Sequence, residues 1–323
     1  MLEVTLHPFY CQQCQFEFSQ MVASAYTTSA KVLVLGAAGQ VGHALVELLE
    51  KSPGIEPIGF TRRQMDITSA DAVRQQLEKH LPDYVVNCAG FNRVDAAERQ
   101  VDEAFAVNRD GPANLATACA ALSIPLLHLS SDYVFDGHYA SGYSEGDDPA
   151  PLGTYGRSKW EGEERVRQLQ PQHLILRVSW IFSARGHNFL LRMLEQARQE
   201  KEIEAADDRR GCPTSADDVA RVILAMLRQL TCGIDVWGTY HYCGAEITTR
   251  YGFSEAILAA VRQYEELEVE TLKAVSTADL HPLAERPASS VLKCRKLLST
   301  FGIRQRPWRS ELQRVIREIY GES

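Results

Sequence analysis

Three glycines at a three-residue spacing, Gly36, Gly39 and Gly42, separate a short apolar run from a helical pattern. The run is KVLVLG (31–36); the following AAGQVGHALVELLEK places Leu45, Leu48 and Leu49 on one side of a helix. A turn this rich in glycine is tight and lets the backbone approach a pyrophosphate, which then rests at the positive helix N-terminus. The preceding strand and the following helix are the context that such a motif requires. Gln40 and Val41 lie inside it and share the cofactor-binding assignment.

The alternation continues. Strands are predicted at 56–61, 82–90, 124–131 and 173–180, with helices at 69–80, 99–107, 111–122 and from Tyr155 onward. Strands that are apolar on both sides, alternating with helices, indicate a parallel sheet covered on both faces. The fold class is therefore α/β, a doubly wound parallel sheet of Rossmann type. After residue 180 the rhythm loosens, with helices expected at 187–200, 215–230, 248–265 and 308–319, and short strands near 202–205, 239–243 and 270–275. This reads as a dinucleotide-binding domain over 31–180 and a smaller substrate lobe over 181–323, some of whose elements return to the first domain. A cleft between the two would hold a substrate.

Residues 1–30 contain no Lys or Arg and no apolar run long enough for a signal peptide, so a leader outside the fold or an upstream start is expected there. No stretch approaches the length of a membrane span. The net charge of −8 and the lack of a basic run argue against nucleic acid or an anionic membrane as partner. Eight scattered cysteines, with Cys11-x-x-Cys14 the one close pair, suit a reducing compartment and a cytoplasmic location better than a metal or disulfide framework.

At the end of the second strand, where an acidic residue would hold the ribose hydroxyls of NAD, the chain has TRR. Arg62 and Arg63 would attract a 2′-phosphate, which favours NADPH over NADH. Asp66 and Ile67 follow and are expected to border the adenine, while Ala89 and Gly90 of NCAG stand at the next strand end.

Two further segments, LSSDYVFDG (129–137) and GTYGRSK (153–159), fall at the same carboxyl edge of the sheet. They bring Ser131, Tyr155 and Lys159 into one hydroxyl–phenol–ammonium set. Lys159 lies four residues after Tyr155, on one helix face, and is expected to lower the pKa of the phenol. Tyr155 would then pass a proton to a carbonyl oxygen held by Ser131.

These motifs, together with SSDYVFDG, APLGTYGRSKWEGE, LRVSWIF, GHNFLLRML, GCPTSADDVA and RPASSVL, resemble the dTDP-4-dehydrorhamnose reductases, a branch of the extended short-chain dehydrogenase/reductases, over about residues 31–320. The resemblance implies NADPH-dependent reduction of the C4 ketone of a nucleotide-linked deoxysugar, dTDP-4-dehydro-L-rhamnose giving dTDP-L-rhamnose. It implies Ser131, Tyr155 and Lys159 as catalytic residues, and Val178, Ser179 and Trp180 near the nicotinamide and sugar. Asp132 is either a substrate contact or a hydrogen-bonding residue of its loop. Mg²⁺, used by some members, is implied by resemblance alone.

Two departures, Asn92 for the usual Thr and Arg209 for the usual Gln, bear on the sugar-nucleotide pocket. The partners expected are a small nucleotide-sugar substrate and a second copy in a homodimer. Other readings stay open at this point: a sugar-nucleotide epimerase of the same fold, and a non-catalytic NADP-binding subunit similar to the regulatory β subunit of methionine adenosyltransferase. A dehydratase is disfavoured because Tyr133, not a second carboxylate, follows Asp132.

Overall fold

The computed structural model describes residues 29–321, so residues 1–28 of the expected leader, with the Cys11–Cys14 pair, lie outside the described residues, while Ala30 already belongs to the first strand. Six parallel strands form the central sheet: β1 (Ala30–Leu35), β2 (Ile55–Phe60), β3 (Tyr84–Asn87), β4 (Leu126–Ser131), β5 (His173–Val178) and, far along the chain, β7 (Gly238–Tyr242). Their order is β7-β5-β4-β3-β1-β2, so the direction of winding reverses between β1 and β3. In open α/β sheets that reversal opens a crevice at the carboxyl ends of the strands.

Strand β1 shows why both faces are covered. Val32 and Val34 pack into one core, with α1 (Gln40–Glu50) and α8 (Ala216–Thr231). Leu33 and Leu35 pack into the other, with α2 (Ala70–His80), α5 (Gly111–Ala121) and α6 (Thr154–Leu169). Successive strand residues face opposite sides, so a continuously apolar run needs helices on both. Cys119 is wholly buried in this second core, as a small apolar side chain, and the described cysteines are free thiols.

A third cluster gathers Leu190, Met193, Phe253, Ile257, Trp308 and Leu312 from α7 (Phe189–Gln199), α9 (Arg250–Val261) and α11 (Trp308–Ile319), with Phe182 from the short strand Ile181–Phe182. Strands β6 (Glu202–Ala206) and β8 (Thr271–Val275) pair in parallel beside it. Side-chain caps start several of these helices: Asn188 accepts from the Leu191 amide, Ser215 from Asp218 and Thr249 from Gly252.

The expected strand over 82–90 ends at Asn87, because the Asn87 side chain accepts from the Ala89 amide at 3.0 Å and bends the chain. The two helices expected at 99–107 and 111–122 are continuous: α4 (Val101–Phe105) runs through a π-helical turn, Ala106–Asp110, into α5. Two short helices, α3 (Val94–Ala97) and α10 (Arg295–Phe301), were not predicted, being too short for a periodic signal.

Candidate active site

The glycine turn is shaped by close backbone contacts. Gly36 has φ +75°, and a Cβ there would come within 2.7 Å of the Ala89 nitrogen across the crevice. A Cβ on Gly42 would lie 2.2 Å from the Gly36 oxygen, so only glycine lets α1 pack on the turn. Gly39 is different: it is exposed, and its missing Cβ meets nothing nearer than 3.1 Å. It also starts α1 with no side-chain cap, leaving an open helix N-terminus suited to an anion. Val41 is buried, and Gln40 reaches sideways, accepting from the Ser183 hydroxyl at 2.9 Å and donating to the His187 carbonyl at 3.4 Å.

Arg62 and Arg63 are both exposed after β2. Arg62 pairs with Asp66 at 3.5 Å and Glu103 at 3.3 Å, whereas Arg63 has no acidic partner among the described residues. Burial works against the Asp66 carboxylate, but the Thr68 amide and hydroxyl and Arg62 outweigh it and hold the pKa below the usual value. Ile67 is 4 % exposed and packs beneath Gly111, so its side chain belongs to the core while Asp66 stays at the surface.

Ser131, Tyr155 and Lys159 come together at the ends of β4 and α6, all at least nine-tenths buried. The Ser131 hydroxyl interacts with the Tyr155 phenol and donates to Asp132 at 2.9 Å. Lys159 donates to the Leu129 carbonyl at 2.9 Å and faces Gly90, where a Cβ would lie 3.3 Å from its Nζ. One expectation changes. Burial raises the Tyr155 pKa, Lys159 is not among the groups that move it, and burial brings Lys159 itself down to about 8. In this arrangement the phenol holds its proton firmly.

The two glycines around Tyr155 have local causes. A Cβ on Gly153 would lie 2.7 Å from the Glu98 carboxylate, which accepts from the Thr154 amide at 2.7 Å and hydroxyl at 2.8 Å. Glu98 thus takes the place of the missing side-chain cap on α6, where its charge complements the helix dipole. A Cβ on Gly156 would fall 2.1 Å from the Tyr133 oxygen.

Asp132 is enclosed by three hydroxyls, those of Ser131, Ser179 at 2.8 Å, and Ser290. Burial raises its pKa. Trp180, just beyond β5, has φ +47°, a strained value for a bulky side chain. Its indole N–H donates to Ser290 at 3.0 Å, its ring lies where a Gly211 Cβ would sit, and the Arg250 guanidinium stacks 3.6 Å from its centroid. Val178 is buried at the end of β5 beside Ser131. Arg209 donates to Thr277 at 2.9 Å.

Sequence reading missed Glu98, Asn108, Arg250 and Ser290. Asn108 sits in the π-helical turn, donates to the Phe91 carbonyl and to Ser158, and accepts from the Phe91 amide at 2.8 Å. It ties the Gly90 loop to the Tyr155 helix. A non-periodic turn next to Gly111-Pro112 was the available signal. Among the described residues no group of three or more His, Cys, Asp or Glu is arranged to hold a metal, and no helix is long and apolar enough to cross a membrane.

A family model described as the RmlD substrate binding domain matches residues 30–320. A dTDP-4-dehydrorhamnose reductase of Sinorhizobium fredii is 37% identical over 88% of this chain and 96% of its own length. A dTDP-4-keto-6-deoxy-D-glucose reductase of Streptomyces niveus is 38% identical over 62% of this chain and 70% of its own. The crystal structure of the Bacillus anthracis dTDP-4-dehydrorhamnose reductase in complex with NADP superposes with a TM-score of 0.82, at 31% identity, covering 90% of this chain and 100% of that one.

Proposed function

Since the chain belongs to the RmlD family of dTDP-4-dehydrorhamnose reductases, we propose that it reduces the C4 ketone of dTDP-4-dehydro-L-rhamnose with NADPH, giving dTDP-L-rhamnose. It is an NAD(P)-dependent oxidoreductase, so the regulatory-subunit reading falls away. The observation that carries the proposal is the meeting of Ser131, Tyr155 and Lys159 opposite the Gly36–Ala89 crevice.

The open N-terminus of α1 at Gly39 fits a dinucleotide diphosphate, with Ala89 and Gly90 allowing close backbone approach. Arg63, which has no acidic partner among the described residues, suits an adenosine 2′-phosphate, and Arg62 lies beside it. Bound there, reduced nicotinamide supplies the hydride. Lys159 lies where a ribose hydroxyl could reach its ammonium, and Ser131 holds the ketone oxygen by a hydrogen bond. Tyr155, fully protonated, donates its phenolic proton to that oxygen as negative charge develops on it. Trp180 and Arg209 line the sugar side, with Asp132, enclosed by its serine hydroxyls, and Val178 and Ser179 at the strand end behind them.

The test is purified protein with NADPH and dTDP-4-dehydro-L-rhamnose. Reduced-nicotinamide absorbance falls and the product is dTDP-L-rhamnose. Turnover of dTDP-4-keto-6-deoxy-D-glucose in its place would reassign the substrate to that of the Streptomyces relative.

A further inference from the structure

Two arginines beside the catalytic set have no acidic partner among the described residues. Arg250, the first residue of α9, stacks between two rings, 3.6 Å from the Trp180 centroid and 4.6 Å from that of Phe189. Arg192, one turn after Phe189 on α7, lies 5.4 Å over the same ring. Neither guanidinium hydrogen-bonds or ion-pairs among the described residues, whereas the nearby Arg286 is neutralised by Asp95 at 2.6 Å. The acid close to Arg250 is Asp132, already enclosed by serine hydroxyls.

We propose that Arg192 and Arg250 form the subsite for the diphosphate of a nucleoside-diphosphate substrate, set against Trp180 on the far side of the reacting carbon from Tyr155. This rests on the reductase reading above. Aromatic faces lie against both guanidiniums and, for the more enclosed Arg250, offset part of its lost hydration, while the N–H edges of both stay uncommitted. Those edges match phosphate oxygens bidentately, and a doubly charged diphosphate removes the mutual repulsion of the two cations. Burial pulls Arg250 down to about 10, with Arg192 and Arg286 adding to the fall against the raising effect of Tyr133 and Asp132. The connection to chemistry is direct: Arg250 stacks on Trp180, Trp180 bonds Ser290, Ser290 bonds Asp132, and Asp132 bonds Ser131. A diphosphate anchored here fixes the sugar relative to the catalytic hydroxyls.

The experiment is calorimetric titration of the full chain, saturated with NADPH to fill the cofactor's own phosphate contacts, with dTDP, thymidine and inorganic pyrophosphate. Arg250→Gln and Arg192→Gln are each expected to weaken dTDP and pyrophosphate by roughly 10- to 100-fold, the loss of a charge-assisted hydrogen bond. Thymidine and NADPH binding should hold, and with the keto substrate KM should rise far more than kcat falls. Arg192 is exposed, so its variant folds even where Arg250→Gln does not. Unchanged dTDP affinity in the Arg192 variant, or equal losses for thymidine and dTDP, overturns the subsite. Loss of dTDP binding in variants of a wild type that reduces no dTDP-sugar supports the subsite and sinks the substrate reading alone.

Discussion

Glu163 and Arg177 form a bidentate ion pair in the core, Nε to Oε1 at 2.9 Å and Nη2 to Oε2 at 2.7 Å, both side chains almost wholly buried. The pair fastens α6, which carries Tyr155 and Lys159, to strand β5. Burial opposes the carboxylate, yet Arg177 and Arg167 hold its pKa at about 2. Glu163→Gln leaves Arg177 buried beside a neutral amide. It should cost about 3–5 kcal/mol in urea unfolding, the usual result of removing one partner of a buried pair. A loss below about 1 kcal/mol would show that water reaches and solvates Arg177 in the variant.

Acid should destabilise the protein well before the carboxylates titrate. His128 and His241 are buried neutral, burial lowering each from 6.5 to about 3. Their tautomers are fixed: His128 Nδ1 faces the Asn87 amide, and His241 Nδ1 faces the Tyr143 carbonyl. The unfolded chain takes up protons at these rings below pH 6.5 while the folded chain does not, so stability falls from pH 6.5 towards 3. Each ring contributes up to about 1.4 kcal/mol per pH unit. Glu163 adds to the loss between 4.5 and about 2, while Asp132, raised by burial, offsets part of it. Urea midpoints measured from pH 7.5 to 4.5 should change little at first and decline steadily below about 6.5. A flat profile down to pH 5 would mean that these rings reach water in the folded state.

The sheet, its glycine turn and the Ser131, Tyr155, Lys159 set were legible because each rests on local signals: apolar strands, glycines at a strand end, and a four-residue spacing on one helix. Glu98 was not. Its role depends on Gly153 admitting a carboxylate 55 residues away in sequence, which no period encodes. Nothing in the sequence singles out Arg250 at its helix start, and only the fold places it on Trp180. The Tyr155 pKa was misread for a related reason. Spacing shows that Lys159 shares a face with Tyr155, but burial, which spacing does not reveal, dominates both groups.

The two arginines after β2 should be unequal. Arg62 is partly neutralised by Asp66 and Glu103, whereas Arg63 has no acidic partner among the described residues. Arg63→Ala should weaken NADPH by roughly 10- to 100-fold, one charge-assisted hydrogen bond, and leave NADH nearly unchanged. Arg62→Ala should do less. Fluorescence titration with both cofactors separates the cases, and equal weakening of NADH and NADPH would remove the 2′-phosphate from the assignment.

The catalytic set makes a joint prediction about rate and pH. Tyr155→Phe keeps the ring against Tyr133, 5.7 Å between centroids, and removes the one phenolic proton that meets Ser131. Turnover should drop about 10²- to 10⁴-fold with NADPH affinity retained. Lys159 sets the pH dependence. Its pKa is about 8, lowered by burial and partly restored by the Glu163 carboxylate one turn along the helix. Activity needs the ammonium form, so kcat/KM, which reports the free enzyme, should decline as pH rises through about 8. In Glu163→Gln the restoring charge is gone, and that alkaline limb should move to lower pH. A surface tyrosine and lysine would give neither result. Near wild-type turnover in Tyr155→Phe, or a limb that stays in place in Glu163→Gln, would take the proton transfer away from this pair.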